Sequence, residues 1–367
     1  MKIECAQDKL KEAIGNAEKV SGKHMSLPVL SCVLIEATEK SIVIKATNLD
    51  TGLEINIPGK VLEPGVAAVP AQILNSFVAS LVGAEKSIVL ATSENNLKIQ
   101  TPRSSGTIKT QAHEDFPSIP KVVDGSTFSL HSGELLKGLK SVWYSSSVSS
   151  IKPELSSVYI YCEEGFMVFV ATDSFRLAEK KVKMKTVKDF GQILIPFKNI
   201  PDIMRVLEPI NDEVEISLNK NQISFSHKGL YLTSRVVDGV FPDYKQIIPK
   251  ASTTEVVALK QDLVNALKIS NIFSDKFNQI NIKVDPSHKQ CEIKTKNNDV
   301  GENITTLDSA ITGEAIDINF NYKYIVDCFQ SIDSDSVTLI FAGLNKPLIV
   351  KPLSDTSFRY LVMPMNR

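Results

Sequence analysis

The side chains that could bind a metal or attack a bond are few and far apart in this sequence. The five cysteines stand at positions 5, 32, 162, 291 and 328 without a CxxC pair, and the five histidines are equally dispersed. Zinc sites and disulfide frameworks need cysteine and histidine at short, regular spacings. The sequence therefore predicts no metal, no cofactor and no disulfide. Free thiols are typical of a reducing compartment, so we expect a cytoplasmic protein.

Two aspartates in predicted turns are the candidates for acid–base catalysis. Asp173 follows Thr172, and Asp243 stands between Pro242 and Tyr244. The sequence has no phosphate-binding glycine loop, no GxGxxG motif and no recognisable set of nucleophile, base and orienting group. Aspartates in turns commonly accept hydrogen bonds from backbone amides. We therefore predict a non-catalytic protein, with an enzyme as the disfavoured alternative.

Basic side chains are the remaining candidates, because lysine and arginine attract phosphates. Eight of them fall on predicted helices: Lys9, Lys11, Lys137, Lys140, Lys198, Arg205, Lys268 and Lys323. The chain has 41 basic and 42 acidic residues, a net charge of −1, whereas proteins that bind DNA tightly over a whole surface carry a basic excess. The composition permits a local basic face with weak, sequence-independent contacts. Solvated helix residues without a ligand are the alternative interpretation.

Length and composition are those of a globular protein with several domains. The chain has 367 residues, of which 43% are hydrophobic and 23% charged. Two or three domains are expected for this length. No apolar run is long enough to span a bilayer. The first residues, MKIECAQDKLKEA, are too polar for a signal peptide, so we expect neither export nor membrane association.

An internal repeat organises the elements that must position these residues. Several pairs are separated by the same 125 positions: Pro28 and Pro153, Thr47 and Thr172, and Pro117 and Pro242. A third copy is fainter. Apolar i, i+4 pairs predict a leading helix in each third: Leu10/Ile14, Leu135/Leu139 and Leu263/Leu267. The constant offset predicts three similar domains, which we place at 1–121, 122–250 and 251–367.

A second helix and antiparallel strands complete each predicted third. Apolar stripes in the segments from Pro70, Pro196 and Asn321 predict helices with one buried face, and each proline suits a first helical turn. Alternation over 214–218 and 223–226 predicts a hairpin with one solvated face. Each third reads as helix, strands, helix, strands. The predicted fold class is α+β, with two helices per domain packed on antiparallel sheets.

The order and spacing of several short segments resemble the bacterial DNA sliding clamp, the β subunit of DNA polymerase III. The segments are LPVL (27–30), VATDSFRLA (170–178), VDGVFPDY (237–244), SDKF (274–277) and YLVMPM (360–365). The resemblance implies a head-to-tail homodimer that closes into a six-domain ring. Sheets would form its outer wall, and helices would line a hole for duplex DNA. Its implied function is to tether the replicative polymerase during DNA replication.

The resemblance also implies a cleft that binds short linear peptides of the polymerase, the clamp loader and other clamp-binding proteins. Its residues would be Leu155, Thr172, Ser174, Phe175, Arg176, Leu177, Pro242, Gln246, Ile247, Pro347, Leu361, Val362, Met363, Pro364 and Met365. Aliphatic and methionine side chains suit leucine or phenylalanine anchors, and Arg176 could hold the peptide's polar atoms. Ser174-Phe175, Gln246 and Asn366-Arg367 depart from the family's common residues, so peptide preference is expected to differ.

Two loops and one seam complete the implied sites. Lys23 and His24, and Ser149 and Lys152, correspond to loops that contact DNA in the family. The implied dimer seam pairs a first-domain strand with a third-domain strand and contains Arg103, Gly106, Ile108, Ile272, Phe273 and Glu302. Because Gly106 stands where a large apolar residue is common, we expect a less apolar seam. A repeat scaffold that binds peptides without encircling DNA is the alternative function.

Overall fold

The structure describes residues 1–22, 27–81, 87–184 and 190–365 in a computed structural model. Within these ranges the helices are α1 (Gln7–Val20), α2 (Ala71–Ser80), α3 (Ser132–Val142), α4 (Ile200–Leu207), α5 (Lys260–Ile272) and α6 (Tyr322–Asp327). The strands of the first third are β1 (Lys2–Ala6), β2 (Cys32–Ala37), β3 (Ile42–Thr47), β4 (Thr51–Ile57), β5 (Gly59–Glu63), β6 (Gly65–Pro70), β7 (Ser87–Ser93), β8 (Asn96–Gln100) and β9 (Ser105–Lys109).

The second and third thirds contain the remaining strands. Those of the second third are β10 (Ser126–His131), β11 (Ser157–Glu163), β12 (Phe166–Thr172), β13 (Arg176–Lys183), β14 (Gln192–Pro196), β15 (Glu213–Leu218), β16 (Gln222–His227) and β17 (Leu230–Arg235). Those of the last third are β18 (Thr254–Leu259), β19 (Gln279–Asp285), β20 (Gln290–Asn297), β21 (Gly301–Leu307), β22 (Ser309–Gly313), β23 (Ile316–Asn321), β24 (Ser336–Phe341), β25 (Leu348–Pro352) and β26 (Phe358–Val362).

The leading helices α1, α3 and α5 form where the apolar pairs predict them. In α1 the pair Leu10 and Ile14 is fully buried, and the helix packs on β3 and β4. Burying one such aliphatic side chain stabilises the fold by about 1.5–3 kcal/mol. Lys9, Lys11 and Glu12 are exposed, so the charged residues lie on the side away from the sheet.

The second helices α2, α4 and α6 are also confirmed, but two details of the prediction were wrong. Pro70 and Pro196 are the last residues of β6 and β14 and not part of a helix, and a 3-10 turn over 197–199 precedes α4. Proline is tolerated there because β6 and β14 are edge strands. Ile73, predicted to be buried with the stripe of α2, is 57% exposed.

The order of elements in each third also differs from the prediction, because a strand comes before the leading helix. These strands are β1, β10 and β18, and β1 shows the alternation of a half-buried strand, with Ile3 and Cys5 buried. Their shortness hides them beside the longer helical pattern that follows. The predicted hairpin is confirmed: β15 and β16 pair antiparallel, with Leu218 opposite Ile223.

The chain forms two compact units, each built on two antiparallel sheets. Met1–Leu136 with Lys198–Asp238 contains a five-stranded sheet in the order β5-β1-β7-β8-β9 and an eight-stranded sheet in the order β10-β15-β16-β17-β4-β3-β2-β6. Lys137–Phe197 with Gly239–Arg367 contains a nine-stranded sheet in the order β14-β11-β12-β13-β26-β25-β24-β18-β22 and a four-stranded sheet in the order β21-β20-β19-β23. Helices on antiparallel sheets confirm the α+β class.

Both larger sheets continue from one third of the sequence into the next, as expected for repeats with free strand edges. In the first unit β4 pairs with β17, and Thr51 lies opposite Ser234. In the second unit β13 pairs with β26, and Arg176 lies opposite Val362. This pairing explains why the compact units do not coincide with the thirds. The domain boundaries at 121/122 and 250/251 stay predictions.

The cysteines of the described chain are free thiols. Burial raises the pKa of Cys5 and of Cys291 to about 12, so neither thiol ionises near neutrality. The described residues contain no group of three His, Cys, Asp or Glu side chains that could hold a metal ion. Among the helices of the same ranges, none has the length and apolar character to cross a membrane.

A buried lysine on β13 depends on one acidic partner. The Lys180 side chain is 3% exposed, and its Nζ lies 2.9 Å from Asp355 Oδ2 and 2.6 Å from Ser357 Oγ. Burial opposes ionisation of Asp355, but hydrogen bonds from Ser357 and Lys180 outweigh it and lower the pKa of Asp355 from 3.8 to about 2. The Lys180–Asp355 ion pair therefore makes the stability of the fold depend on pH in the acid range.

We expect the stability that Asp355 contributes to disappear in acid. A carboxyl group with a lowered folded-state pKa stabilises the fold above about pH 4, and its contribution is lost as pH falls through about 2. Asp355→Asn should therefore unfold at lower urea concentration than the native chain at about pH 5. The gap between the two proteins should close between about pH 4 and 2. A gap that stayed constant over that interval would contradict this assignment.

Candidate functional site

The turn between β12 and β13 projects one aromatic side chain out of the nine-stranded sheet. Thr172 Oγ1 donates to the Arg176 carbonyl at 2.7 Å and accepts from the Ser174 amide at 3.1 Å. Asp173 Oδ1 accepts from the amides of Phe175 and Arg176 at 2.9 and 3.0 Å. These hydrogen bonds hold Ser174 at a φ of +78°, a backbone conformation that residues other than glycine rarely adopt. As a result, Phe175 is 59% exposed.

Arg176 fixes this turn to its surroundings. Its Nε lies 3.0 Å from Asp173 Oδ2, Nη1 forms an ion pair with Asp327, and Nη2 donates to the Tyr144 carbonyl at 2.8 Å. The guanidinium also lies 4.9 Å from the centre of the Tyr324 ring. The side chain is 12% exposed, and each guanidinium nitrogen has a partner within the chain. Arg176 therefore positions the aromatic wall.

Phe175 forms one wall of an open cleft of about 450 Å³ within the second compact unit. The lining residues are Phe175, Lys276, Phe277, Asn278, Asn321, Tyr324, Met363, Pro364 and Met365. The rings of Phe175 and Tyr324 stack with centroids 6.3 Å apart and an interplanar angle of 16°. Aromatic and methionine side chains form an adaptable apolar surface, and the two asparagines and the lysine supply polar groups.

The segment after β26 is held in place by its own backbone. The Met363 amide donates to the Phe175 carbonyl at 2.8 Å, and the Met365 amide donates to the Asn319 carbonyl at 2.8 Å. The side chains of 363–365 are half-buried. This segment therefore presents a fixed methionine and proline surface to the cleft. Asn366 and Arg367 lie outside the described residues.

The structure brings some of the predicted cleft residues to this surface and leaves others beneath or beside it. Four line the cavity: Phe175, Met363, Pro364 and Met365. Six are buried: Leu155, Thr172, Leu177, Pro347, Leu361 and Val362. Four are exposed. Gln246 and Ile247 lie on the 3-10 turn over 244–247, Pro242 lies just before it, and Ser174 lies in the turn between β12 and β13. The buried members support the strands that carry the surface.

Sequence reasoning missed five cleft residues of the last third. Lys276, Phe277 and Asn278 follow α5, Asn321 is the last residue of β23, and Tyr324 lies on α6. In the sequence, Phe277 is notable only as the last residue of the SDKF segment, and Tyr324 only as part of the predicted helix from Asn321. The property that distinguishes Phe277 is its 57% exposure, which only the structure reveals.

The same turn recurs 125 positions earlier with the opposite chemistry. Leu49 takes a φ of +76°, as Ser174 does. Where Phe175 projects from the second copy, the first copy has Asp50, which forms an ion pair with Lys198 at 2.7 Å. A charged pair leaves no apolar wall for a hydrophobic anchor. The two copies thus share a backbone geometry, and only the second carries the chemistry of a peptide cleft.

The predicted DNA-binding side chains that the structure describes are all exposed. In the first unit they are Lys9, Lys11, Lys198 and Arg205, and in the second they are Lys137, Lys140, Ser149, Lys152, Lys268 and Lys323. Lys23 and His24 lie outside the described residues. Lys9 lies within 4 Å of Glu12, Lys198 of Asp50 and Arg205 of Asp202. Ion pairs at exposed cations are weak, so these three side chains stay available to phosphates.

The predicted seam residues lie on and near two sheet edges. Gly106 and Ile108 lie on β9, the edge strand of the five-stranded sheet, and Arg103 lies just before that strand. Ile108 is buried. Glu302 is exposed on β21, which ends the four-stranded sheet. Ile272, at the end of α5, is 66% exposed, and Phe273 is half-buried.

Comparison with known proteins identifies the family. Models of the DNA polymerase III beta subunit match the chain in order: the N-terminal domain over 1–120, the central domain over 129–243 and the C-terminal domain over 245–366. The beta sliding clamp of Synechocystis sp. is 26% identical over 100% of this chain and 99% of its own length. That of Staphylococcus aureus is 24% identical over 95% of this chain and 94% of its own.

Solved structures agree with these matches. The DNA polymerase III beta subunit of Thermotoga maritima has a TM-score of 0.94 at 24% identity and covers 100% of this chain and 99% of its own. The beta subunit of Pseudomonas aeruginosa has a TM-score of 0.93 at 25% identity over 100% of both chains, and a structure of that clamp bound to griselimycin matches equally. The chain belongs to the bacterial DNA polymerase III beta subunit family, the beta sliding clamps.

Proposed function

We propose that two copies of this chain close head to tail into a six-domain ring around duplex DNA and tether the replicative polymerase to its template. Members of this family are non-catalytic processivity subunits in DNA replication. The site of action would be bacterial DNA in the cytoplasm. The observation that carries the ring is that β9 and β21 are both edge strands, although the strands at the same places in the other thirds pair with each other within the chain.

The junctions within the chain indicate how these edges would be used. β17 and β26 hold the place in their thirds that β9 holds in the first, and they pair with β4 and β13. β21 follows β20 as β4 follows β3, so it is the strand left for β9 of another copy. This pairing would give nine strands, the size of the larger sheet within the chain. Because the two edges differ, the contact is heterologous, and a rotation that closes gives a ring.

The exposed basic residues of the helices support a DNA-facing surface. Phosphate contacts from lysine and arginine carry no sequence information and weaken with salt. The net charge of −1 keeps these contacts few, and mechanical enclosure would replace affinity. A ring of this kind slides because no single contact holds it at one base pair.

The apolar cleft beside Phe175 supports binding of short linear peptides from the polymerase, the clamp loader and other partners. A leucine or phenylalanine anchor would enter between the stacked Phe175–Tyr324 rings and the 363–365 segment. Buried apolar anchors of this type carry most of the free energy in peptide recognition. Asn278, Asn321 and Lys276 would orient the polar atoms of the peptide.

Molecular mass in solution, combined with particle images, tests the ring. We expect a particle of twice the 40.4 kDa chain mass with a central opening. A protein that stays monomeric at every concentration, without an opening, would contradict the proposed ring and favour a peptide-binding scaffold.

A further inference from the structure

The second helix of the first third leaves two apolar side chains more exposed than the residues at the same places in the other two thirds. Phe77 of α2 is half-buried, whereas its counterparts, Ile203 of α4 and Cys328 after α6, are both 0% exposed. One turn earlier Ile73 is 57% exposed, whereas Asn199 is 2% exposed and Tyr324 is half-buried at that place. Leu74, Ile200 and Ile325 are buried in all three copies, so the difference is confined to one side of the helix.

In the two copies with buried stripes, the leading helix of the preceding third lies alongside. α4 contacts α1, and Lys19 Nζ of α1 donates to the Arg205 carbonyl at 3.4 Å. The turn after α6 contacts the end of α3, and Ser331 Oγ donates to the Ser141 carbonyl at 3.1 Å. On the proposed ring, the leading helix that lies against α2 of the first third is α5 of a second copy.

Phe77 also occupies the space above the free edge at β9. A Cβ atom placed on Gly106 would lie 2.6 Å from Phe77 Cε2 and 2.7 Å from Cζ, closer than real contacts allow. Glycine at 106 is therefore needed to seat the ring. On the proposed ring, the large apolar group at this position would come from the helix instead of the strand.

The opposite sheet edge carries matching apolar surface. Ile269 and Ile272 of α5 are 42% and 66% exposed, and Ile304 of β21 is 57% exposed. The Phe273 ring lies 3.8 Å from the position of a Cβ on Gly301, where β21 begins. An exposed patch of this type beside an unpaired strand is a protein-interaction surface.

We infer that Phe77, seated over Gly106, is the first-domain anchor of the dimer seam and packs with Ile73 on Ile272 of a second copy. This inference rests on the proposed ring and assigns its apolar contact to two helices rather than to a side chain of β9. Strand pairing would set the register, and the helix contact would supply most of the affinity.

The test compares dimer dissociation constants of full-length variants by sedimentation. Phe77→Ala should raise the constant at least about 10-fold, because removing an interface anchor costs about 1.4 kcal/mol or more. Val123→Ala, which trims a 65% exposed apolar residue outside α2 and β9, should stay within about 2-fold. Phe77→Ala with Gly106→Leu moves the large group back to the strand and should restore most of the affinity. Circular dichroism establishes that each variant is folded.

The outcomes separate this inference from the ring itself. A native protein that never dimerises contradicts the proposed ring. A native dimer whose constant is unchanged in folded Phe77→Ala contradicts the anchor and leaves the ring standing. If the double variant Phe77→Ala with Gly106→Leu dimerised no more tightly than Phe77→Ala alone, the claim that an apolar group over Gly106 stabilises the dimer would be wrong.

Discussion

Phe175→Ala will weaken binding of a clamp-binding peptide about 30-fold, which corresponds to about 2 kcal/mol. The side chain is 59% exposed in the free protein and forms a full wall of the cleft, stacked on Tyr324. Its removal opens the cleft on that side and leaves the peptide's apolar anchor in water. Because the ring is mostly exposed, its loss should change the free energy of unfolding by less than about 1 kcal/mol.

Fluorescence anisotropy with a labelled peptide that carries adjacent leucine and phenylalanine anchors measures this effect. The matched control is Leu344→Ala, which removes an apolar side chain that is 62% exposed in the same compact unit but does not line the cleft. Pro364→Ala with Met365→Ala should weaken the peptide as well, while leaving the dimer intact. Equal affinities of native protein, Phe175→Ala and Leu344→Ala would rule out this cleft.

Glu179→Ala will lower the free energy of unfolding by about 3 kcal/mol, because it breaks a buried charge network. The Glu179 side chain is 4% exposed, accepts from Tyr244 Oη at 2.6 Å and lies 3.1 Å from Arg359 Nε. Burial, together with this carboxylate, raises the pKa of Tyr244, so its hydroxyl stays protonated and donates. Without Glu179, a buried hydroxyl and a guanidinium lose their acceptor.

Urea unfolding at one fixed protein concentration measures the loss, because dissociation would otherwise enter the result. Glu163→Ala is the control: that carboxylate pairs with Lys181 and Lys245, but its side chain is 27% exposed, and we expect less than about 1 kcal/mol. Glu179→Gln should fall between the two, since the amide keeps one acceptor. A loss at Glu179 no larger than at Glu163 would contradict the network.

The architecture was largely predictable because repetition is visible in the residues themselves. A constant offset of 125 carries the turn at Thr47 onto the turn at Thr172, and the hydrogen bonds from Thr47 and Thr172 to the backbone are 2.7 Å in both. Helical and alternating periodicity then predict most elements. The short strands β1, β10 and β18 escaped, since a few alternating residues next to a long amphipathic helix give a weak signal.

The site was less predictable because its parts meet only in three dimensions. Tyr324 lies on a helix whose stripe predicts a buried face, and nothing in the local sequence indicates that its ring stacks on Phe175. Glu179 and Lys180 are consecutive residues of β13, yet both are buried, against the usual preference of charged side chains. Such burial depends on partners far away in sequence, Arg359 and Asp355.

Exposure of Ile73 shows the limit of reasoning from one chain. An apolar stripe predicts a buried face, and at the place of Phe77 the prediction holds in the other two copies, where Ile203 and Cys328 are buried and a neighbouring third lies alongside. For α2 the neighbour belongs, on our proposal, to another copy. Sequence periodicity gives the apolar face but not the molecule that covers it.

Retention on DNA of different topology is the most direct test of enclosure. The protein is loaded onto a nicked circular plasmid with its clamp loader, isolated by gel filtration, and half of the sample is then cut once with a restriction enzyme. We expect the protein to stay with the circle and to leave the linear DNA through its ends, with retention at least about 10-fold lower after cutting. Equal retention on circular and linear DNA would show that affinity, and not encirclement, holds the protein.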